Sequence, residues 1–467
     1  MLRCRKGGGA MQDRNRDMAR RIAGEVARQG GRVYYVGGLV RDRLLGRESK
    51  DIDIEVHGVT PQALCAILDG LGERTQMGAS FGVYGLRHYD LDIAMPRLES
   101  ATGRGHKDFE IFTDPFLGVY KAAQRRDFTV NAMMEDVLTG EIVDPFGGQA
   151  DLRAGILRHV SAQSFPEDPL RVLRAAQFAA RFGFTVAGET IDLCRGMDLT
   201  ALAGERVFGE LQKALLKAPR PSVFFEVLRE MDQLHTFFLE VEALIGVTQE
   251  PRFHPEGDVF AHTMLVLNAA AALREQAREP LPFMLSALCH DFGKVSTTCV
   301  VGGRIRSFGH DEAGVPLAER FLARLAGGVK LRRYVCSMVR LHMRPHALCR
   351  QQAGEKALCR LFDASECPED LLLLSRADCM GRALCADDEA AERALRAGLA
   401  RYRELMARPH VTGADLVAAG FAPGPDFGEA LALAHKLRLS GVGREDALRQ
   451  TVAFLRRRRS GAGGASE

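Results

Sequence analysis

Met18, Ile22 and Val26 recur four residues apart across 17–29, the spacing of a helix with one apolar stripe, and Gly30-Gly31 ends it. Residues 32–36 read as a strand, Gly37-Gly38 as a turn, and 39–45 as a short helix stopped by Gly46. Strict alternation follows at 51–56, with Asp51, Asp53 and Glu55 on one face and Ile52, Ile54 and Val56 on the other. That is the pattern of a half-buried strand. Residues 90–95 alternate in the same way, Asp90 and Asp92 facing away from Leu91, Ile93 and Met95. From about Asp168 strand signals almost vanish. Helical patterns run on to Arg459, broken by Pro and Gly at 218–221, 251–255 and 423–425, with no repeat of fixed period. The expectation is an α+β chain: a small mixed sheet with helices on one side, then an all-α region.

Composition narrows this picture only a little. A chain of 467 residues favours two to four domains, and 46% hydrophobic residues suffice for real cores. No apolar run approaches the ~20 residues that span a bilayer. Residues 1–16 are basic and glycine-rich without an apolar segment, so they are not a secretory signal and read as a disordered leader. The eleven cysteines include no C-x-x-C pair, which argues against a zinc ribbon and a secreted disulfide scaffold and fits a reducing cytoplasm. A formal charge of +3 says little about nucleic acid, but arginines cluster at Arg125-Arg126 and at 456–459.

The first candidate chemistry lies on the strand at 51–56. Side chains at i and i+2 leave a strand on one face, roughly 6–7 Å apart at the backbone. Asp51 and Asp53 can therefore share Mg²⁺, which prefers oxygen ligands and substrate phosphates, with Asp92 a candidate third carboxylate. Two such ions activate an attacking hydroxyl and stabilise a leaving pyrophosphate. A lone D-x-D is more often a charged solvent face. Here Gly37-Gly38 lies just upstream, where backbone N–H groups at a helix start suit phosphate, and Arg41 on the following turn is placed to reach it.

Val36-Gly37-Gly38-Leu39-Val40-Arg41-Asp42 and Lys50-Asp51-Ile52-Asp53 resemble the head motif of bacterial tRNA nucleotidyltransferases and poly(A) polymerases, of the DNA polymerase beta superfamily. Arg125-Arg126-Asp127-Phe128-Thr129-Val130-Asn131-Ala132 matches that family's second motif, which implies nucleotide binding by Arg126. The likeness is strong over 33–217 and resumes more weakly at 410–431. Residues 96–120, with Gly103-Arg104-Gly105-His106, resemble the flexible loop of members that add the terminal A as well as CC.

Glu167-Asp168-Pro169-Leu170-Arg171-Val172-Leu173-Arg174 opens a helix with Asp168, Arg171 and Arg174 on one broad face. Asp-Pro is a good N-cap followed by Pro at the first helical position. A carboxylate accepting from an exocyclic amine, beside a guanidinium donating to a ring nitrogen, selects cytosine and adenine together. The resemblance implies that role for Asp168 and Arg171, and a nucleotide contact for Arg174. Gln177 stands where many members have a third arginine.

Histidines gather in the second half: His254, His262, His290-Asp291-Phe292-Gly293-Lys294, His310-Asp311, His342 and His346, with Asp378. Imidazoles with carboxylates suit divalent transition metals and metal-assisted phosphoester hydrolysis. The set His262, His290, Asp291 and Asp378 resembles the signature of HD phosphohydrolases. Some relatives have His-Asp where this chain has His342-Met343.

The resulting expectation is a mixed-sheet nucleotidyltransferase head at 28–150, a helical neck with the base-reading helix at 151–245, an HD domain at 250–382 and a tRNA-binding helical tail at 383–460, between disordered ends at 1–16 and 460–467. The site residues expected are Asp51 and Asp53 for catalysis and Mg²⁺, and Gly38, Arg41, Arg126, Asp168, Arg171 and Arg174 for substrate. His262, His290, Asp291 and Asp378 would hold a second metal, Ni, Mn, Co or Zn. The partners expected are tRNA, CTP and ATP in the cytoplasm, with no membrane and homodimerisation left open. CC-only addition, A-only addition and poly(A) polymerisation are alternatives within the class. A metal phosphohydrolase whose head merely binds nucleotide is the alternative outside it.

Overall fold

The computed structural model describes residues 8–48, 51–76, 83–101, 109–382, 389–407 and 410–462. The loop motif at 103–106 and Lys50 lie outside them. The chain forms two compact units, one of residues 1–218 and 223–237, the other of residues 219–222 and 238–467. No described helix is long and apolar enough to cross a membrane.

The first unit is built on a seven-stranded sheet. Its strands are β1 (Arg32–Val36), β2 (Ile52–His57), β3 (Arg74–Gln76), β4 (Val83–Leu86) and β5 (Leu91–Ala94). After a hairpin of β6 (Arg97–Ala101) and β7 (Phe109–Thr113) come β8 (Met134–Asp136) and β9 (Ile142–Val143). The spatial order is β3-β4-β5-β2-β1-β8-β9. Only β2 and β5 run parallel, so the sheet is mixed, as the sequence predicts. Alternation puts Ile52, Ile54 and Val56 wholly inside.

Two expectations about this unit need correction. The N-terminal helix runs Gly8–Arg28, so part of the supposed leader is ordered helix. Its early turns lack the apolar stripe and are held instead by a polar clasp: the Asn15 amide donates to the Asp90 carbonyl at 3.1 Å and accepts from Asp90 N–H at 3.3 Å. The polar face of β2 is also not a solvent face, since Glu55 and His57 are buried there. Beyond the sheet, helices Leu170–Phe182 and Gly204–Lys217 pack on each other, and a two-residue parallel pair joins β10 (Ile156–Leu157) to β11 (Thr185–Val186).

The second unit is nearly all helix. Val259–Leu273, Pro280–Cys289, His310–Arg324, Val329–Leu341 and Pro368–Met380 carry or adjoin the histidine cluster. The exception is a hairpin of β12 (Thr298–Val301) and β13 (Arg304–Ser307), which no strand signal in the sequence marks; it follows the short helix Lys294–Thr297 and forms a two-stranded sheet of its own. In the tail, Glu389–Ala407, Gly413–Ala418, Asp426–Leu439 and Arg444–Ala462 surround a small core including Val411, Leu416, Ala434 and Leu455. A reciprocal Thr412–Asp415 capping box starts Gly413–Ala418. The last helix runs past the expected end at 460.

Candidate active sites

Strand register builds the carboxylate site. Parallel pairing of β2 with β5 sets Asp53 directly opposite Asp92, so two carboxylates from neighbouring strands share one face. Burial, then Asp92, raises the Asp53 carboxyl to about 6 against the pull of Arg126, with Asp51 and Asp90 adding to the rise. An acid raised above its unfolded value favours the fold at low pH and opposes it once pH rises through about 6. Ionised, this cluster strains the metal-free protein, and a divalent cation relieves that strain. The donor set is all oxygen, partly exposed, and suits a hard cation. Asp51 is exposed just before the first residue of β2.

Gly37 and Arg126 complete this corner. Gly37 has φ 68°, a left-handed conformation that glycine adopts without penalty. A Cβ there would lie 3.5 Å from Arg126 Nη1 and 4.0 Å from Asp53 Oδ2. The backbone therefore passes close to the carboxylate and the guanidinium, as a phosphate cradle requires. Gly38 follows as the first helical residue. Arg126 donates to Glu55 Oε2 at 3.2 Å. Glu55 lies on the same face as Asp51 and Asp53 and also meets His57 Nε2 at 2.9 Å. Burial alone would raise Glu55, but His57 and Arg126 hold it at about 2, so it remains an anchor for Arg126. Only its place in the alternation of 51–56 marked it in the sequence.

Arg41 is buried, donates to Asp42 Oδ1 at 2.6 Å and Asn131 Oδ1 at 2.7 Å, and stacks 4.4 Å from the Phe182 ring centroid. It ties the glycine turn to the motif at 125–132, and a Cβ at Gly38 would lie 3.4 Å from its Nη2. Gln177 is likewise turned inward, buried with its Nε2 lacking a partner among the described residues, and so supplies no phosphate contact.

Polar contacts around residues 125–127 link the carboxylate strand to helix Leu170–Phe182. Arg171 donates to the carbonyls of Ser164 at 2.7 Å and Arg125 at 2.6 Å. Arg174 meets Asp127 Oδ2 at 2.6 Å and stacks on Phe178. Asp127 also accepts from Asn131 and from Phe128 N–H. Burial would raise the Asp127 carboxyl, but Arg174 and these donors hold it low. Asp127→Ala should destabilise the protein by about 1–3 kcal/mol, because Asn131 and Phe128 N–H lose a buried acceptor and the half-buried Arg174 loses its carboxylate. Urea unfolding measures this; a loss under ~1 kcal/mol would contradict the anchoring role.

Asp168 holds the start of the helix as a cap does: it precedes Pro169 in extended conformation, its Oδ1 accepting from Leu170 N–H at 3.1 Å and its carbonyl from Arg171 N–H at 3.0 Å. Both its oxygens meet Arg206 Nη2, at 3.3 and 3.2 Å. Arg206, on helix Gly204–Lys217, was not singled out in the sequence; nothing in its local pattern sets it apart from a solvent-facing arginine.

The histidine cluster assembles in the second unit. His262, His290, Asp291, His342 and Asp378 are at most 2% exposed, and His310 7%. His262 Nε2 lies 3.1 Å from Asp378 Oδ1 and 3.6 Å from Asp291 Oδ2. His290 Nε2 lies 3.2 Å from Asp291 Oδ2 and makes no hydrogen bond among the described residues. Gly293 makes the approach possible: a Cβ there would sit 2.0 Å from the His310 carbonyl oxygen, so only glycine lets the 310 segment close on the His290-Asp291 turn. Glu256 bonds both His254 Nδ1 and His262 Nδ1 at 2.9 Å. His342 itself joins the cluster, while Met343 lines its mouth with Phe253, Arg306, Phe308, Arg350 and Arg382. His346 points elsewhere, to the Ser375 carbonyl. His262, His290 and Asp291, and again Asp291, His310 and His342, form groups able to hold a metal ion.

Of the tail arginines, Arg458 pairs with Glu429. Arg459 pairs with Asp426 between the Phe421 and Phe427 rings. These two serve the tail's own packing. Arg449, Arg456 and Arg457 line a surface hollow on the last helix.

A carboxylate-bearing mixed sheet with a glycine turn, an arginine beside the carboxylates and an α-helical continuation defines a nucleotidyltransferase. Residues 33–158 match the family model for the poly A polymerase head domain. The chain is 39% identical over 426 residues to the multifunctional CCA protein of Halorhodospira halophila, covering 89% of this chain and 98% of that one. It is 37% identical to that of Cupriavidus metallidurans, with 88% and 97% covered. This chain belongs to the family of multifunctional CCA proteins. Its fold is that of solved CCA-adding enzymes. One from Thermotoga maritima, complexed with tRNA, gives TM-score 0.62 at 21% identity over 97% of both chains. One from Bacillus stearothermophilus, with CTP, gives 0.65 at 22% over 94% of this chain and 97% of that one.

Proposed function

We infer that this protein adds CCA to the 3′ ends of tRNA from CTP and ATP without a nucleic-acid template. The observation that carries this reading is the Asp53–Asp92 register beside Gly37 and Arg126, in a chain of this family. Asp51, Asp53 and Asp92 would hold Mg²⁺, which supplies activation of the terminal ribose hydroxyl and charge neutralisation at the pyrophosphate. The chain's own groups orient the reactants. Backbone N–H groups at Gly37-Gly38 and the Arg126 guanidinium face the triphosphate, and Glu55 fixes Arg126 in place.

Selection of the base falls to Asp168 and Arg171. The partners they hold without substrate support this reading, because each is a partner that a base can replace in kind. Arg206 presents N–H donors to Asp168, as an exocyclic amine would. Carbonyls accept from Arg171, as a ring nitrogen would. Uracil and guanine present the wrong donor and acceptor order and leave both groups unsatisfied, which costs more than a mere lost contact. Asp168→Ala should lower discrimination against UTP and GTP by about 10- to 100-fold, the worth of a charged hydrogen bond, while costing about 1 kcal/mol in stability. Single-nucleotide incorporation with each of the four triphosphates tests this. A variant that melts earlier yet rejects UTP and GTP as well as wild type would leave Asp168 a purely structural residue.

The histidine cluster supports a second activity, metal-dependent phosphoester hydrolysis at damaged or cyclic-phosphate RNA ends. His262, His290, Asp291 and Asp378 would hold the ion, which supplies an activated water. An imidazole-rich set favours Mn, Co, Ni or Zn over Mg. Arg306, Arg350 and Arg382 at the mouth provide positive charge for a phosphate. The tail arginines Arg449, Arg456 and Arg457 are the best candidates there for phosphate contacts with tRNA, which would make binding salt-sensitive.

A further inference from the structure

We propose that Phe253 and Phe308, at the mouth of the histidine cluster, stack on an unpaired terminal base, so that this site selects phosphate groups carried on a nucleoside. The proposal rests on reading the cluster as a phosphoesterase centre and names what its substrate must carry beyond the phosphate.

Exposure singles out the two rings. Phe253 is 57% exposed and Phe308 72% exposed. A phenyl ring left in water forgoes the burial that normally makes it worth keeping. Both rings border one cavity of about 280 Å³. Asp291, His310 and Asp378, each at most 7% exposed, form its floor. A molecule that reaches the floor therefore passes the rings.

Backbone contacts hold the rings in a fixed relation to that floor. Along β13 and just past it, Arg306 and Phe308 alternate with the half-buried Ile305 and Ser307, so cation and ring share the outer face. Phe253 sits in a turn closed by its own N–H on the Glu250 carbonyl at 2.9 Å. Glu250 Oε2 in turn accepts from Ile305 N–H at 3.2 Å, which ties the two ring-bearing segments together. Gln249 Oε1 accepts from Lys294 Nζ at 2.8 Å, and Lys294 pairs with Asp291 Oδ2 at 2.7 Å. His310 Nδ1 donates to the Ser307 carbonyl at 2.7 Å. A site ordered before its ligand arrives loses little freedom on binding.

The chemistry of the lining points to a nucleotide. Arg306, Arg350 and Arg382 border the same cavity. Arg382 commits Nη2 to Asp378 Oδ2 at 2.6 Å, while its buried Nε has no partner among the described residues. Guanidinium donors suit phosphate oxygens. Aromatic rings suit the flat face of a base, whichever base it is. One ribose joins phosphate and base, so a nucleotide satisfies both sets of groups and a simple phosphate ester satisfies one. An apolar peptide would cover the rings but leave the three arginines without an anion. Stacking does not read base identity, so ends of any sequence are accepted, provided that the last base is unpaired.

Two measurements on the full chain test this, each comparing wild type with Phe253→Leu/Phe308→Leu, which keeps apolar side chains but removes both rings. The first is hydrolysis of cytidine and adenosine 2′,3′-cyclic phosphates against the base-free methyl riboside 2′,3′-cyclic phosphate. Wild type should favour the nucleosides by about 10- to 100-fold in kcat/KM, carried mainly by KM, and the double variant should favour them by no more than about threefold. The second is binding without turnover, with metal removed by chelator. Stacking quenches 2-aminopurine, so a short RNA ending in 2-aminopurine riboside 2′-phosphate should dim on wild type and much less on the double variant. Equal quenching by the two proteins, or a nucleoside preference unchanged in the variant, overturns the proposal. Equal quenching together with a dimer that only the double variant loses would assign the rings to a second copy of this chain instead. Ring-dependent quenching without hydrolysis by wild type, whatever the ion, would overturn the phosphoesterase reading and leave the base-stacking site standing.

Discussion

Replacing Asp53 by Asn lowers nucleotide addition by roughly 10³-fold or more, on the order of 4 kcal/mol of transition-state stabilisation. The loss follows from the position of this carboxylate. Asp53 lies opposite Asp92 across the parallel pair, next to the Gly37 turn and Arg126. Asn keeps the shape but surrenders the charge that a divalent cation requires. The fold survives, because ionised Asp53 opposes folding above about pH 6 in the absence of metal. The variant should therefore melt no earlier than wild type at pH 7 when both are stripped of metal. Quench-flow addition of CTP to tRNA measures the rate, and thermal melting checks the fold. Incorporation near the wild-type rate would end the two-metal reading of the head.

His290→Ala should eliminate hydrolysis of 2′,3′-cyclic phosphate ends and leave CCA addition within about twofold of wild type. His290 presents a buried Nε2 to Asp291 with no hydrogen bond to it among the described residues, so its removal would strip the cluster of a proposed ligand. The carboxylate site and the histidine cluster belong to different compact units, each with its own core. Both activities are assayed across Mg²⁺, Mn²⁺, Co²⁺, Ni²⁺ and Zn²⁺. Hydrolysis absent from wild type with every ion would defeat the hydrolase reading. Loss of CCA addition in a folded His290→Ala protein would defeat the independence of the two activities.

Local patterns revealed much of this molecule, and long-range partners very little. Alternation at 51–56 and 90–95 identified the two strands, and their register then brought Asp53 and Asp92 together. The His262, His290-Asp291 and Asp378 spacing anticipated residues that converge in the fold. The motif around Arg41 gave no sign of its partners Asn131, ninety residues on, and Phe182. The cap-like place of Asp168 was legible from Asp-Pro, but its partner Arg206, on another helix, was not. The ordered start of the first helix escaped notice because Asn15 clasps Asp90, a contact no periodicity encodes. The hairpin at β12–β13 was hidden by its small size and exposed valines, Val300 and Val301, which have no core to alternate against.

The central claim is that protein side chains alone choose C, C and A in order and then stop. The most direct measurement offers this protein tRNA lacking CCA, and tRNA ending in CC, with CTP alone, ATP alone or both, and reads product lengths at nucleotide resolution. The account predicts two residues added from CTP alone to the first substrate, one from ATP alone to the second, and a halt at CCA when both are present. A product that stops at CC with both nucleotides, or an A tail that grows without limit, would contradict it.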